Sequence, residues 1–402
     1  MMPPRPGPRP LPLHLATAAA ICAGSRLAWP LLRSGWPSSS HDLAAEAASL
    51  RLALESAPAE AFDAAVDREA RRRLDGFLTG LAAYLAHPYR RALADPAPAW
   101  TEGTTALRDY GPADGRPVLV VPSLVNRAYV LDLAPDMSLL RFLAGRGLRP
   151  LLVDWRAPGD DERLFTLSDY VAGRLERALE RAVALAGGPV PVIGYCMGGL
   201  LALALALRRP QAVSALAFLA TPWDFHAGTG GPPPALALMR SGLGAIIDAT
   251  GTMPVDLMQT LFFSLDPTQS FAKFRRFATL DPASEAARAF VALEDWANDG
   301  VPLAAAVARE CLDGWYLANT PAAGRWHVAG RPVRPQDWSG PALAVIPARD
   351  RIVPPASATA LADALPACDR LNPPAGHVGM VVGGRADAAL WRPLADWLRA
   401  RG

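Results

Sequence analysis

Residues 194–199, which read Gly-Tyr-Cys-Met-Gly-Gly, have the composition of a catalytic turn. They join an apolar run, Pro189–Tyr195, to a Leu- and Ala-rich helical pattern, Met197–Arg209. A sharp turn between a strand and a helix exposes the side chain at its centre, and lipases carry a serine there. In this chain the central residue is Cys196, and the N-terminus of the following helix favours its thiolate form. We therefore predict that Cys196 is a nucleophile.

The residues around Cys196 support this prediction. Gly194 and Gly198 leave room where a Cβ atom would collide with neighbouring chain, and Gly199 allows the helix to pack close to a sheet. The backbone N–H of Met197 is a natural hydrogen-bond donor to an oxyanion formed at the nucleophile. The alternative interpretation is a tight turn that buries an unreactive cysteine.

A base and an acid for this nucleophile follow later in the chain. Of the six histidines, only His377 lies after the last predicted strand. Asp350 directly follows the apolar run Pro341–Pro347, in a loop where an acid that orients the histidine is expected. The order Cys196, Asp350, His377 is the nucleophile–acid–base order of α/β-hydrolase enzymes. We predict that His377 accepts the thiol proton and that Asp350 stabilises the charged imidazole.

Two positions in this group have alternatives. Asp350 could instead be a surface turn residue, in which case Asp369 is a second candidate for the acid. The second oxyanion donor is expected in the loop after the apolar run Pro117–Pro122. It is a backbone N–H of Leu124 or Val125, and the sequence favours Val125.

The elements that position these residues alternate between short apolar runs and helical patterns from about residue 100 onwards. Near-continuous apolar strands separated by helices indicate a parallel sheet that is covered on both faces. The pattern predicts an α/β-hydrolase fold with a mostly parallel sheet. The predicted strands are Pro117–Pro122, Arg149–Trp155, Pro189–Tyr195, Val213–Ala220, Pro341–Pro347 and a last strand around Leu371. The predicted helices are Ser138–Arg146, Ser168–Ala186 with an N-cap at Ser168, Met197–Arg209 and Leu390–Arg399.

The alternation is interrupted, which divides the chain into four segments. Residues 1–95 form a Pro-rich start and a helical region, 96–221 and 339–402 form the core, and 222–338 form a helical cap insertion without clear strands. Six prolines exclude regular structure from the first twelve residues. Leu11–Cys22 is predicted to be an amphipathic helix, with a secretory signal as the alternative. It is shorter than the roughly 20 apolar residues of a membrane-spanning helix, so no transmembrane segment is expected.

Composition excludes several classes of function. The 402 residues include 40 basic and 38 acidic side chains, and a net charge of +2 without a basic cluster predicts no binding of nucleic acid. The four cysteines, Cys22, Cys196, Cys311 and Cys368, have the spacing of neither a zinc site nor a disulfide framework. They indicate reduced thiols and a cytoplasmic location. The sequence predicts neither a metal site nor a nucleotide-binding loop.

Six segments of the chain, considered together, are more specific than any single motif. They are residues 121–136, 153–159, 194–199, 293–299, 350–354 and 376–379. In these segments the chain resembles the polyhydroxyalkanoate synthases, nearer to the short class, and residues 194–199 resemble the modified lipase box that carries the catalytic cysteine of that family. The similarity extends over about three quarters of the chain, from residue 100 to the end. One departure is Arg351, at a position where the family often has a histidine.

The resemblance implies an acyltransferase that polymerises (R)-3-hydroxyacyl-CoA through an acyl-cysteine and releases coenzyme A, with no cofactor besides this thioester substrate. It also implies a homodimer, a possible second synthase subunit, and a cytoplasmic enzyme that ends at the surface of a polyester granule. The alternatives are an acyl-CoA thioesterase or polyester depolymerase with the same three residues, and a catalytically silent granule-associated protein. Preference for acyl chain length does not follow from the sequence.

Overall fold

The computed structural model describes residues 5, 7–33, 45–46, 48–49, 52–53, 58–228 and 230–401. The chain divides into two compact units, one formed by Met1–Arg90 with Gln259–Asn298 and the other by Arg91–Met258 with Asp299–Gly402. This division differs from the four predicted segments. A part of the predicted cap belongs to the same unit as the N-terminal helices, because its aromatic side chains share their core.

The larger unit contains a sheet of eight strands, and the predicted α/β-hydrolase architecture is confirmed. Every pair from the strand Leu148–Asp154 onwards is parallel. The other edge is an antiparallel hairpin that the sequence did not predict, because neither of its five-residue strands has a continuous apolar run. Across the sheet the strands lie in the order Pro98–Glu102, Thr105–Asp109, Leu148–Asp154, Arg116–Val121, Val190–Tyr195, Val213–Leu219, Ala342–Val345 and Asp369–Leu371.

The larger unit has a helix at each of the four predicted positions, with one correction to a helix start. The helix predicted from Ser168 is capped instead by Thr166, which forms a reciprocal capping box with Asp169, and the π-helix Tyr170–Leu175 follows. Ser168 accepts a hydrogen bond from the distant backbone N–H of Ala329. The α-helices are Leu139–Ala144, Leu167–Asp169, Glu176–Ala186, Met197–Arg208, Pro234–Thr250, Val255–Leu265 (which continues into the smaller unit), Ala305–Arg309, Pro355–Ala364, Gly379–Val382 and Arg392–Arg399.

The segment predicted to be a cap without strands does contain short ones. Thr252–Met253 pairs with Leu303–Ala304, and His327–Val328 pairs with Arg331–Pro332. Two-residue strands leave no periodic pattern, so the sequence could not reveal them. Between them lies a π-helix, Glu310–Leu317.

The smaller unit is helical, as predicted for the N-terminal region. Its core is largely aromatic and includes Phe77, Tyr84 and Phe274, which are fully buried. The predicted helix at Leu11–Cys22 is confirmed and extends to Arg33, whereas most of residues 41–57 lie outside the described part. No helix among the described residues is long and apolar enough to cross a membrane. The α-helices are Leu11–Arg33, Ala59–Ala86, Gln269–Phe277 and Glu285–Asn298.

Candidate active site

Cys196 lies in a strained turn between the strand Val190–Tyr195 and the helix Met197–Arg208. Its backbone angles are φ 55° and ψ −128°, a conformation that residues other than glycine rarely adopt. Two hydrogen bonds hold it there: its N–H donates to the carbonyl of Leu219 at 2.8 Å, and its carbonyl accepts from Gly199 at 3.0 Å. Strain of this kind persists only where surrounding structure enforces it, which is typical of functional sites.

The glycines around Cys196 allow close packing of the chain. A Cβ atom at Gly194 would collide with the backbone of Gly199, and one at Gly198 would collide with the carbonyl of Pro122. At Gly199 it would collide with the side chain of Thr221. The helix that begins after Cys196 therefore packs directly against the ends of neighbouring strands.

His377 and Asp350 form a buried pair in the same unit as Cys196. His377 Nδ1 lies 2.7 Å from Asp350 Oδ2. The other carboxylate oxygen of Asp350 accepts hydrogen bonds from the backbone N–H groups of Ile352 at 2.8 Å and Val353 at 2.9 Å. Asp369, the alternative acid, is exposed and contacts Trp397 and Arg401. The Asp350 carboxylate is therefore held in one orientation towards the imidazole.

Asp369 contacts the end of the chain. Its Oδ2 atom accepts hydrogen bonds from Trp397 Nε1 at 2.7 Å and from Arg401 at 2.6 Å. This places it in a surface ion pair and favours Asp350 as the partner of His377.

The charges of the site raise the pKa of His377. Burial by itself would lower this pKa, but the negative charge of Cys196 and hydrogen bonds with Asp350 and Cys196 outweigh it, and the pKa of His377 is raised to about 10. The histidine consequently stays positively charged near neutral pH beside the sulfur. A cysteine next to a charged imidazole is the arrangement of an activated thiolate nucleophile.

Tyr195 also contacts His377, which the sequence did not predict. The hydroxyl of Tyr195 donates to the backbone carbonyl of His377 at 3.4 Å, and the two rings lie 5.3 Å apart at 32°. Burial, with the charges of Cys196 and Asp350, raises the pKa of Tyr195 well above its usual value, so the phenol remains a donor. The only signal in the sequence is an aromatic residue directly before the nucleophile.

The candidate oxyanion donors differ in whether their backbone N–H groups already donate a hydrogen bond within the protein. Met197 is the first residue of its helix, so its N–H has no acceptor within the helix. The N–H of Val125, favoured by the sequence as the second donor, instead donates to Ser123 Oγ at 3.1 Å. The N–H of the alternative, Leu124, has no acceptor among residues that the structure describes. The geometry therefore favours Leu124 over Val125.

Three aromatic rings of the cap region pack together in the unit that holds Cys196. Phe225 packs against Trp315 and Tyr316, with ring centroids 5.7 Å and 4.9 Å away. Tyr316 is 37% exposed. Its partial burial and the charge of Cys196 raise the pKa of its phenol.

Together these groups are suited to acyl transfer. Cys196 is a thiol in a strained backbone conformation, His377 is able to transfer protons, and the N–H groups of Met197 and Leu124 are candidate donors to an oxyanion. Within the described ranges, no three His, Cys, Asp or Glu side chains are grouped as metal ligands.

Comparisons with known proteins agree with this architecture. Residues 116–383 match the α/β-hydrolase fold family. The poly(3-hydroxyalkanoate) polymerase subunit PhaC of Synechocystis sp. is 31% identical over 299 residues, which cover 71% of this chain and 78% of that protein. The protein of the same name from Haloferax mediterranei is 28% identical over 296 residues, covering 71% of this chain and 59% of that protein.

A solved structure, a thermophilic esterase from Thermogutta terrifontis with bound malate, is 18% identical. It aligns with a TM-score of 0.46 and covers 78% of this chain and 99% of that one. The chain belongs to the poly(3-hydroxyalkanoate) polymerase family, within the α/β-hydrolase fold.

Proposed function

We propose that this chain polymerises (R)-3-hydroxyacyl-CoA thioesters through a covalent acyl-cysteine and releases coenzyme A. The observation that carries the proposal is the strained Cys196 beside the buried His377–Asp350 pair, in a chain that belongs to a polymerase family. The catalytic groups are Cys196 as nucleophile, His377 as base and acid, and Asp350 as the residue that orients and stabilises the imidazolium.

In the first step, Cys196 is acylated. His377 holds the thiol proton, and the thiolate attacks the carbonyl carbon of the substrate thioester. The N–H of Met197 and an N–H of residues 123–127, which we call the oxyanion loop, stabilise the negative oxygen of the tetrahedral intermediate. The bond between carbonyl carbon and coenzyme A sulfur then breaks, and His377 donates its proton to the leaving thiolate.

In the second step, the acyl group moves to a hydroxyl. His377 removes the proton from the 3-hydroxyl of another hydroxyacyl unit, whose oxygen attacks the acyl-cysteine carbonyl. The bond to the sulfur of Cys196 breaks, the thiolate is regenerated, and an ester bond has formed. Exchange of one thioester for another is almost isoenergetic, whereas formation of an oxygen ester from a thioester is downhill. A cysteine nucleophile therefore preserves the free energy of the substrate until the chain is extended.

Polymerisation requires that water does not reach the acyl-cysteine. The aromatic group formed by Phe225, Trp315 and Tyr316 supports this requirement, because it adds apolar surface to the unit that holds Cys196 and the charge of Cys196 acts on the Tyr316 phenol. The same surface suits the apolar acyl chain of the substrate and the polyester product.

Several properties of the proposed enzyme follow from the family. We propose that it needs no cofactor besides the coenzyme A of its substrate, because the covalent mechanism uses only side chains and backbone N–H groups. We also propose a cytoplasmic homodimer that acts at the surface of a polyester granule, with a second synthase subunit as partner. The relatives support the last point, since they are named as polymerase subunits.

The test is release of coenzyme A from (R)-3-hydroxybutyryl-CoA, followed by product analysis. We expect thiol release with growing polyester, abolished in Cys196→Ala and retained in a matched cysteine control, Cys22→Ala, which alters the other unit. Release of free hydroxybutyrate alone would show a thioesterase. If a folded chain releases no coenzyme A from this or a longer substrate, the proposal fails for the isolated chain.

A further inference from the structure

One acidic residue, Asp299, holds the far end of the oxyanion loop. Its Oδ1 atom lies 2.9 Å from Nε of Arg127, and its Oδ2 atom accepts a hydrogen bond from the Tyr129 hydroxyl at 3.2 Å. The next residue, Gly300, forms an isolated antiparallel β-bridge with Asn126. One side-chain contact and one backbone contact thus connect the loop to a segment distant in sequence, and the hydrogen bond from Tyr129 connects the residues just after the loop to the same segment.

The near end of the same loop is fixed by the start of the nucleophile helix. Gly198 packs so closely against the carbonyl of Pro122 that a Cβ atom would collide with it. Trp155 Nε1 donates to that same carbonyl oxygen at 3.1 Å. Ser123 and Leu124 follow and are buried. The two ends of the loop therefore have separate anchors, and the N–H of Leu124 lies between them.

We propose that Asp299 is a positioning residue that orients the N–H of Leu124 towards the oxyanion formed at Cys196. This inference rests on the proposed acyl-transfer chemistry. An oxyanion donor contributes to rate only when it lies within hydrogen-bond distance of the developing charge, and loss of one such donor costs about 10²- to 10³-fold. A small rotation of the loop would move the N–H of Leu124 away from the oxyanion and would also lower the rate. Asp299 therefore affects the rate only through the position of the loop.

The ion pair alone would be a weak anchor. The side chains of Arg127 and Asp299 are 38% and 41% exposed, and exposed ion pairs contribute little. Two further contacts strengthen it. The hydrogen bond from Tyr129 engages the second carboxylate oxygen of Asp299, and the backbone bridge of Gly300 adds a contact at the next residue. Tyr129 is itself held by the guanidinium of Arg91, which lies 5.0 Å from its ring centroid.

The experiment compares two reactions of the same thiol. Acylation of Cys196 passes through an oxyanion, whereas alkylation by iodoacetamide displaces iodide and forms none. For Asp299→Ala we expect the acylation rate to fall about 10- to 100-fold, while alkylation stays within about twofold of wild type because Asp299 does not act on the thiol. Asp299→Asn, which keeps one of the two acceptor oxygens, and Tyr129→Phe should both show an intermediate loss of acylation.

The matched control is Asp387→Ala. Asp387 is 40% exposed and pairs with Arg392 at 2.6 Å. The variant therefore loses a similar surface ion pair that has no contact with the oxyanion loop. Both reactions should proceed at the wild-type rate in this variant. An unchanged acylation rate in Asp299→Ala, or an equal fall in acylation and alkylation, overturns the inference.

Acylation is measured with (R)-3-hydroxybutyryl-CoA and, separately, with p-nitrophenyl acetate. If the wild type reacts only with the ester, the proposed substrate is wrong, but the ratio of ester acylation to alkylation still decides the role of Asp299. A wild-type thiol that neither donor acylates overturns the inference as well, because the loop would then have no oxyanion to bind.

Discussion

The hydroxyl of Tyr195 lies 3.4 Å from the backbone carbonyl oxygen of His377, and the two aromatic rings are 5.3 Å apart. These residues are separated by 182 positions in sequence. Tyr195 directly precedes Cys196, the proposed nucleophile, so a single segment of chain both carries the sulfur and contacts the proposed base. The contact joins the two halves of the core that the cap insertion separates.

Substitution of Tyr195 should separate the contribution of its ring from that of its hydroxyl. Tyr195→Phe keeps the ring against His377 and loses a long hydrogen bond, so we expect a loss of stability of about 0.5 kcal/mol and nearly normal release of coenzyme A. Tyr195→Ala removes a buried ring and should lower the free energy of unfolding by about 3–5 kcal/mol. Thermal unfolding and thiol release measure the two effects. Equal behaviour of both variants would contradict a role for the ring.

Asp350→Asn should weaken the base without removing it. The neutral amide does not stabilise the imidazolium of His377, and it favours the wrong tautomer, so we expect acyl transfer to fall by about 10²- to 10⁴-fold. Alkylation of Cys196 by iodoacetamide near neutral pH should slow as well, because the sulfur then lacks a fully charged imidazole beside it. Asp369→Asn is the control and should leave both rates near wild type. If Asp369→Asn gave the larger loss, the acid would be assigned wrongly.

The stability of the chain should depend on pH through His377. Its pKa is raised from an ordinary value of 6.5 to about 10, by the charge of Cys196 and the hydrogen bonds with Asp350 and Cys196, against the opposing effect of burial. A raised pKa means that the folded state binds the proton more tightly, so the stabilisation is complete below pH 6.5 and is lost as pH rises towards 10. Melting temperatures measured across this range should therefore fall more steeply in the wild type than in His377→Gln. Parallel curves would argue against a charged His377.

Gly198→Ala should destabilise the chain. Its Cβ would meet the backbone carbonyls of Val121 and Pro122, which cannot move without disturbing the sheet. We expect a loss of about 1–3 kcal/mol or more in the free energy of unfolding, measured by denaturant titration. Gly242→Ala is the control, because it lies within the helix Pro234–Thr250 with no atom near its added Cβ. That variant should be neutral or slightly stabilised, and a similar loss in both would contradict the packing argument.

The sequence alone determined the parallel strands of the sheet and the order of the proposed catalytic residues along the chain. The strands that end near Cys196 and Asp350 are continuous apolar runs, and a buried parallel strand needs no other signal. The turn at Cys196 combines glycines with a half-buried cysteine, a local pattern that few other structures require. His377 could be selected because it alone among the histidines follows the last strand.

Only the tertiary structure decided which groups meet. Thr166 rather than Ser168 caps its helix, since the hydroxyl of Ser168 is taken by Ala329, 161 positions away in sequence. The preference for Leu124 over Val125 as the proposed donor depends on one hydrogen bond, which the N–H of Val125 donates to Ser123 Oγ. Such outcomes could not be read from the sequence, because periodicity reports which face of an element is apolar. It does not report which partner, distant in the chain, satisfies a given N–H or hydroxyl group.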